Sequence, residues 1–573
     1  MNKLGKVKLV LLILIVVSIL FACRKGDSQF VSVLQTKKKS QNTLVDEYEP
    51  IHKIQCNAPI VNISQGSVCG KLVQTSSGKV VNAYLGIPYA ETTAGENRWR
   101  VPIAHKKWDG VFKATEFGPS CPQSTNLEYP QSENCLSVNV WTPETKSVEP
   151  KAVMVFIYGG AFVFGYNGDP MYNGAYTSAY GDVVVVSMNY RLGALGFLAG
   201  IKDKTTGEEI NGNFGILDQI LALKWVQENI SDFGGDPNKI TLYGESAGAM
   251  SVGIHLVSSP QSNGLFRAAI MESNPLGLPY KTLKDTRSIS KRFARNLGCS
   301  IHDILCMRNK LPEVILDAQQ QKNMIWPAVF HGIKDLLAWA PVVDGEVVVE
   351  QPLKAMSEGK LTKPILIGTN RNEGVLFVEK GKAAIKRKTI SDLDYKLMVD
   401  FIFRDRKIAK KLYEKYPPTG GDNTFVASKV ITNYLFTCPS LLTASDSSPD
   451  TWSYQFDHVS SFNIWPNTPD CAYYVCHGEE LPYVFHSAEN RGYKFTDNED
   501  QLSNLIVGYW TNFAKELNPS HSENNWPQFE PDALNLIFIT PLSAISAKSD
   551  LGANCEFWDS IGYELHQSWW DVF

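Results

Sequence analysis

The chain has 573 residues, of which 44% are hydrophobic, 11% aromatic and 20% charged, and its formal net charge is −4. That is the balance of an ordinary globular protein with length enough for a large buried core. It speaks against a nucleic-acid partner, whose surface would need Lys and Arg clustered on one face.

The N-terminus reads differently from the rest. Lys3, Lys6 and Lys8 precede an uncharged, strongly apolar run from Leu9 to Phe21, and Ala22-Cys23 follow. A basic start, an apolar middle and a small residue before the cut describe a secretory signal over residues 1–22. The run is shorter than the ~20 residues that span a bilayer. Leu20-Phe21-Ala22-Cys23 also resembles a bacterial lipobox, in which Cys23 would be lipidated and would anchor the chain to a membrane. Phe21 is uncommon at its place in that box, so a plain signal peptide with an incidental cysteine is the alternative. Residues 23–58 are polar, carry Lys37-Lys38-Lys39 and show no helical or strand period, so they read as a tether. Residues 59–573 keep a globular character to the end.

There are 11 cysteines, and setting Cys23 aside leaves an even number, as expected of an exported chain that oxidises its thiols in pairs. Spacing suggests local loops: Cys56 with Cys69, Cys121 with Cys135, Cys299 with Cys306, and Cys471 with Cys476. Cys438 and Cys555 remain as a long-range pair. Spacing alone leaves this connectivity open.

Taken in chain order, Gly70 to Val73 and Val81 to Leu85 look like a hairpin, and Ser137 to Trp141 like a strand. Residues 152–158 and 182–188 are continuous apolar runs, as expected for strands buried on both faces. Gly215 to Ile230 has a helical apolar period. Lys239 to Tyr243, Arg267 to Met271, Pro364 to Gly368 and Thr451 to Phe456 supply further strands, and Leu502 to Glu516 a helix. Strands alternating with helices indicate an α/β fold: a mostly parallel central sheet covered by helices on both faces. Active groups in such sheets sit at the carboxyl ends of strands.

One stretch carries chemistry. Gly244-Glu245-Ser246-Ala247-Gly248 follows a short apolar strand and opens a small-residue helix. A hydroxyl is a weak nucleophile and must be presented on a sharp turn beside a base; Gly-x-Ser-x-Gly between strand and helix does this. Ser246 is the candidate nucleophile. Oxyanion donors should be backbone N–H groups on a glycine-rich turn, and Tyr158-Gly159-Gly160-Ala161-Phe162 supplies one. Gly160, Ala161 and Ala247 are the candidate donors. In this order of elements the acid follows the serine and the histidine comes last. Glu373, on a loop after a strand, is favoured as the acid over Asp344, whose Asp-Gly context suits a turn. Histidines after it are His458, His477, His486, His521 and His566. His477 stands out because a Cys471–Cys476 pair would restrict its backbone.

Together these residues resemble the type B carboxylesterase and cholinesterase family. The motifs that carry the resemblance are Ser132-Glu-Asn-Cys-Leu-Ser-Val-Asn-Val-Trp-Thr-Pro143, Phe214-Gly-Ile-Leu-Asp-Gln219, Phe233-Gly-Gly-Asp-Pro237 leading into the elbow, and His477-Gly-Glu-Glu-Leu-Pro482. The resemblance spans roughly residues 60–570. It implies an α/β-hydrolase fold with a Ser246–Glu373–His477 triad, the oxyanion set named above, and disulfides on Cys121–Cys135, Cys299–Cys306 and Cys438–Cys555. It also pairs Arg98 with Glu133 and Arg191 with Asp218 as structural ion pairs. The family usually has a third glycine where this chain has Ala161. The loop corresponding to Cys121–Cys135 is longer in cholinesterases and carries a tryptophan for choline's cation; here the nearest substitute is Tyr129. The expectation is therefore a serine esterase acting on uncharged small-molecule or lipid esters, with no metal or organic cofactor required. The alternatives are a lipase for longer acyl chains and a non-catalytic binding or adhesion module. An imidazole base predicts a rate that climbs through about pH 6–7. Asn62-Ile-Ser64 and Asn229-Ile-Ser231 match the glycosylation pattern, Asn229 ending a predicted helix.

Overall fold

The apolar runs assemble into one eleven-stranded sheet. The computed structural model describes residues 56–563, apart from residues 57, 126–128, 145–148, 326–332, 334–335, 447–449, 521–524, 531–534, 539–542 and 547–553. The signal, Cys23, nearly all of the tether, His521 and His566 lie outside the described residues.

In chain order the strands are β1 (Lys71–Gln74), β2 (Val80–Pro88), β3 (Ser137–Pro143), β4 (Lys151–Ile157), β5 (Val184–Met188), β6 (Gly235–Glu245), β7 (Ala268–Glu272), β8 (Ile365–Asn370), β9 (Thr451–Phe456), β10 (Asn535–Phe538) and β11 (Ser543–Ser546). Across the sheet they run β11-β10-β9-β8-β7-β6-β4-β5-β3-β2-β1. From β10 to β5 every neighbouring pair is parallel. The ends are antiparallel: β1–β2, β2–β3 and β3–β5 on one side, β10–β11 on the other. Parallel strands need covering on both faces, and β7, β8 and β9 are buried along their whole length.

Six helices matter below: α1 (Phe214–Asn229), α2 (Ala247–Gly253), α3 (Glu373–Ala384), α4 (Cys438–Asp446), α5 (Asp497–Glu516) and α6 (Cys555–Ile561). Helix α2 packs on β4, β6 and β7, and α5 on β4 and β6. Helix α5 starts at Asp497, five residues before its first apolar position. Its first turn is set by a capping box, in which Glu499 N–H donates to Thr496 Oγ1 at 3.3 Å and Thr496 N–H to Glu499 Oε2 at 2.9 Å.

The register decides where the site lies. Gly244 pairs with Ile157, Glu245 with Glu272 and Glu272 with Gly368. The carboxyl ends of β4, β6, β7 and β8 are therefore level, and the segments that leave them meet at one edge. Two buried ion pairs brace this frame. Arg98 clasps Glu133 in a bidentate pair, with Nε to Oε1 at 2.7 Å. Arg191 reaches Asp218 of α1 at 2.8 Å from Nε and 2.6 Å from Nη2. Among the described residues five disulfides are formed: Cys56–Cys69, Cys121–Cys135, Cys299–Cys306, Cys438–Cys555 and Cys471–Cys476.

Candidate active site

Between the last residue of β6 and the first of α2 stands Ser246, at φ 56° and ψ −122°. A non-glycine residue adopts such a backbone only where its surroundings over-determine it. Here Ser246 N–H donates to Glu272 C=O at 3.0 Å, and Ser246 C=O accepts Met250 N–H at 2.8 Å. The flanking glycines make the turn sterically accessible. A Cβ on Gly248 would lie 1.9 Å from Ile157 O, and one on Gly244 2.7 Å from the same oxygen. The strand–turn–helix therefore closes only with hydrogen at both positions.

The turn after β4 runs against this serine. A Cβ on Gly159 would meet Ser246 Cβ at 3.0 Å. Gly160, Ala161 and Phe162 follow with φ of 102°, 54° and 62°, three left-handed residues in succession. Gly160 C=O accepts the N–H groups of Val163 and Phe164, which tightens the loop. Among the described residues the N–H groups of Gly160 and Ala161 donate to no backbone acceptor. The N–H of Ala247 heads α2, where first-turn donors have no partner within the helix. Ala161 keeps its N–H, as the sequence implies, but holds a conformation that glycine adopts at lower cost.

Glu373 is the first residue of α3 and is fully buried. Its Oε1 accepts Asn370 N–H at 2.7 Å, and its Oε2 lies 2.5 Å from His477 Nδ1. A carboxylate so placed favours the imidazole tautomer with the proton on Nδ1 and Nε2 without one. The ring is walled by Phe377 and Phe436 at centroid distances of 5.1 and 5.2 Å. Among the described residues His477 Nε2 makes no hydrogen bond, to Ser246 or to any other group; it faces Glu245 Oε1 at 3.1 Å. Catalytic hydrogen bonds are often long or misaligned in unliganded enzymes and tighten when substrate is bound.

The other sequence candidates are occupied elsewhere. Asp344 Oδ1 accepts the N–H groups of Glu346, Val347 and Val348, a turn. His458 Nε2 lies 3.1 Å from Glu499, and His486 bonds Ser503 and stacks on Tyr176. Tyr129 donates its hydroxyl to Phe117 C=O and packs on Tyr166. Asn229 is buried and holds Ser64 N–H with its side chain.

Sequence reasoning missed the acidic surroundings. Glu480 accepts from Ser273 Oγ at 3.0 Å and from Asn370 Nδ2. With Glu245 and Glu373 it surrounds His477. Burial pushes the imidazole pKa down, but the carboxylates of Glu245, Glu373 and Glu480 outweigh it and hold the ring up at about 9. Glu245 is itself raised to about 8, by burial first and then by Glu480 and Glu373 against the opposing pull of His477. An imidazole with this many acidic neighbours keeps its proton longer, a direction opposite to the unshifted histidine behind a rate rising through pH 6–7. Both residues stood in quoted motifs, Glu245 inside the elbow and Glu480 three after His477. Nothing in spacing said that their side chains turn inward.

A sequence profile described as the carboxylesterase family matches residues 57–558. Para-nitrobenzyl esterase of Bacillus subtilis is 35% identical, covering 84% of this chain and 96% of its own length. A protein named crystal protein from Dictyostelium discoideum is 36% identical over 88% of this chain and 91% of its own. Mouse cholinesterase is 34% identical, over 87% and 86%. Among solved structures, one described as PNB esterase superposes with a TM-score of 0.71 at 32% identity, covering 87% of this chain and 99% of that one.

Proposed function

The chain belongs to the carboxylesterase family, has its α/β-hydrolase fold and hydrolyses carboxylic esters, and from that premise we propose that it works through an acyl-enzyme on Ser246. The observation that carries the reading is the buried Glu373–His477 pair at 2.5 Å, whose imidazole faces Glu245, the residue before a strained Ser246 against which the Gly159–Ala161 turn is packed. His477 Nε2 takes the proton from Ser246 Oγ as the oxygen attacks the ester carbonyl. The oxyanion that forms is held by the N–H groups of Gly160, Ala161 and Ala247. The carbonyl reforms as His477 protonates the departing alcohol. Water then repeats the cycle on the acyl-enzyme, with His477 as base and Ser246 as leaving group. Glu373 keeps the ring oriented throughout.

The substrates are small-molecule esters, and uncharged ones suit this site. The loop between Cys121 and Cys135 carries no tryptophan, and Tyr129, its only aromatic residue, is tied to Phe117 and Tyr166. The test is turnover of p-nitrophenyl acetate by the folded, disulfide-intact protein. Ser246→Ala should lower kcat by about 10⁶-fold, as in a comparable triad enzyme. Activity retained above a few per cent would remove Ser246 from the mechanism, and a wild-type protein without turnover would favour the binding-module reading.

Five disulfides suit an oxidising, extracytoplasmic compartment. We read residues 1–22 as the signal that delivers the chain there, Cys23 as its lipid anchor and residues 23–58 as the tether. Metabolic labelling with an alkyne fatty acid checks the anchor. Label that persists in Cys23→Ser, or that never appears, contradicts it.

A further inference from the structure

His477 sits on an irregular loop, yet it must hold one position to serve as a base. Its neighbours show how that is done. Two residues before it, Val475 is fastened on both sides by Asn372: Asn372 N–H donates to Val475 C=O at 2.9 Å, and Val475 N–H to Asn372 Oδ1 at 3.2 Å. Asn372 immediately precedes the acid Glu373. One residue before it, Cys476 is bonded to Cys471. At His477 itself, the backbone C=O accepts the indole N–H of Trp465 at 2.8 Å. Trp465 is fixed in turn, with Lys380 Nζ 4.4 Å above its ring and its C=O holding Thr468 N–H at 2.7 Å.

The disulfide does not lie free. Both cysteines are buried, and they pack with Val375 and Leu376 in the first turn of α3, the turn that begins with Glu373. Trp465 and Tyr474 close the same cluster. The bridge thus leans the loop of the base against the helix of the acid. Global stability is a poor reason for it. The closed loop spans five residues, whereas Cys438–Cys555 spans 117, and a disulfide restrains the unfolded chain less the shorter its loop. The family resemblance implied three disulfides, and this one is not among them.

We propose that Cys471–Cys476, Trp465 and Asn372 form a positioning clamp that preassembles His477 on Glu373, so that the imidazole is already oriented when an ester arrives. The proposal rests on the serine mechanism above and names residues that touch neither substrate nor reacting atoms. Their contribution is geometric: they set where Nε2 points.

The experiment compares wild type with Cys471→Ser/Cys476→Ser and, separately, with Trp465→Phe, which keeps a ring but loses the N–H. Each is assayed on p-nitrophenyl acetate across pH, with circular dichroism and thermal unfolding as controls for folding. A clamp predicts that kcat falls roughly tenfold to a hundredfold while KM stays within about twofold, because misplacing a catalytic group by about 1 Å costs that much. It also predicts that the ascending limb of the pH profile moves by about half a unit or more, since the imidazole's contact with Glu373 changes. Unchanged kcat and pH profile in Trp465→Phe and in whichever disulfide variant folds would overturn the clamp while the serine mechanism stood. A wild-type protein that does not turn over ester would overturn both.

Discussion

At the scale of single residues, the proposed base His477 sits in an acidic shell that would set the pH at which it acts. In the proposed mechanism the neutral imidazole is the base, so a raised pKa moves the rising limb of kcat/KM upward from the ordinary histidine range. Glu245 is the largest of the raising charges. Glu245→Gln keeps the shape and removes the charge, so its rising limb should fall toward lower pH by about one unit. A kcat/KM profile of wild type and variant checks this. Coincident limbs, or a wild-type limb already flat above pH 7, would contradict it. Ser246, Glu373 and His477 could be named from the sequence as a candidate triad, because they stand in chemical contexts that few other functions need, and Glu373 and His477 do meet. Glu245 and Glu480 could not be named in this way. A glutamate in sequence is by default a solvated one, and only the fold buries Glu245, at the end of β6, and Glu480, in the turn after His477.

At the scale of elements, the elbow is a steric device before it is a chemical one. Gly248 has no room for a methyl group, since the nearest atom to its Cβ would be Ile157 O at 1.9 Å and backbone cannot swing aside. Gly248→Ala should therefore push α2 off β4, misplace the Ala247 N–H and lower kcat about a hundredfold or more, the scale of losing one oxyanion donor. If the variant keeps wild-type kcat with intact secondary structure, the turn is looser than described. The buried strands were readable from apolar runs, and their observed ends fall within a few residues of expectation. The start of α5 was not readable from period, because its first turn holds Asp497, Glu499 and Asp500 and is built by capping rather than burial. The last two strands at one end of the sheet, β10 and β11, were also missed. Asn535–Phe538 and Ser543–Ser546 are only four residues each, too short to show a clear strand period.

Across the whole molecule, the site is assembled from segments far apart in sequence, so the frame has to hold at its ends as well as at its centre. Cys438–Cys555 ties α4 to α6 over a separation of 117 residues. In the chain-entropy view a loop of that length is worth about 5 kcal/mol of stability. Cys438→Ser/Cys555→Ser should therefore lower the urea midpoint well below that of wild type while leaving kcat of the still-folded protein close to unchanged. An unshifted midpoint would mean that α6 is held by packing alone. In the proposed mechanism this frame presents a strained serine to the histidine that Glu373 holds. The most direct test of that is to treat the protein from residue 24 onward with an organophosphonate ester and map the adduct by mass spectrometry. A single adduct on Ser246, appearing in step with loss of p-nitrophenyl acetate hydrolysis, is the predicted result. An adduct on another residue, or none on folded and disulfide-intact protein, would contradict it.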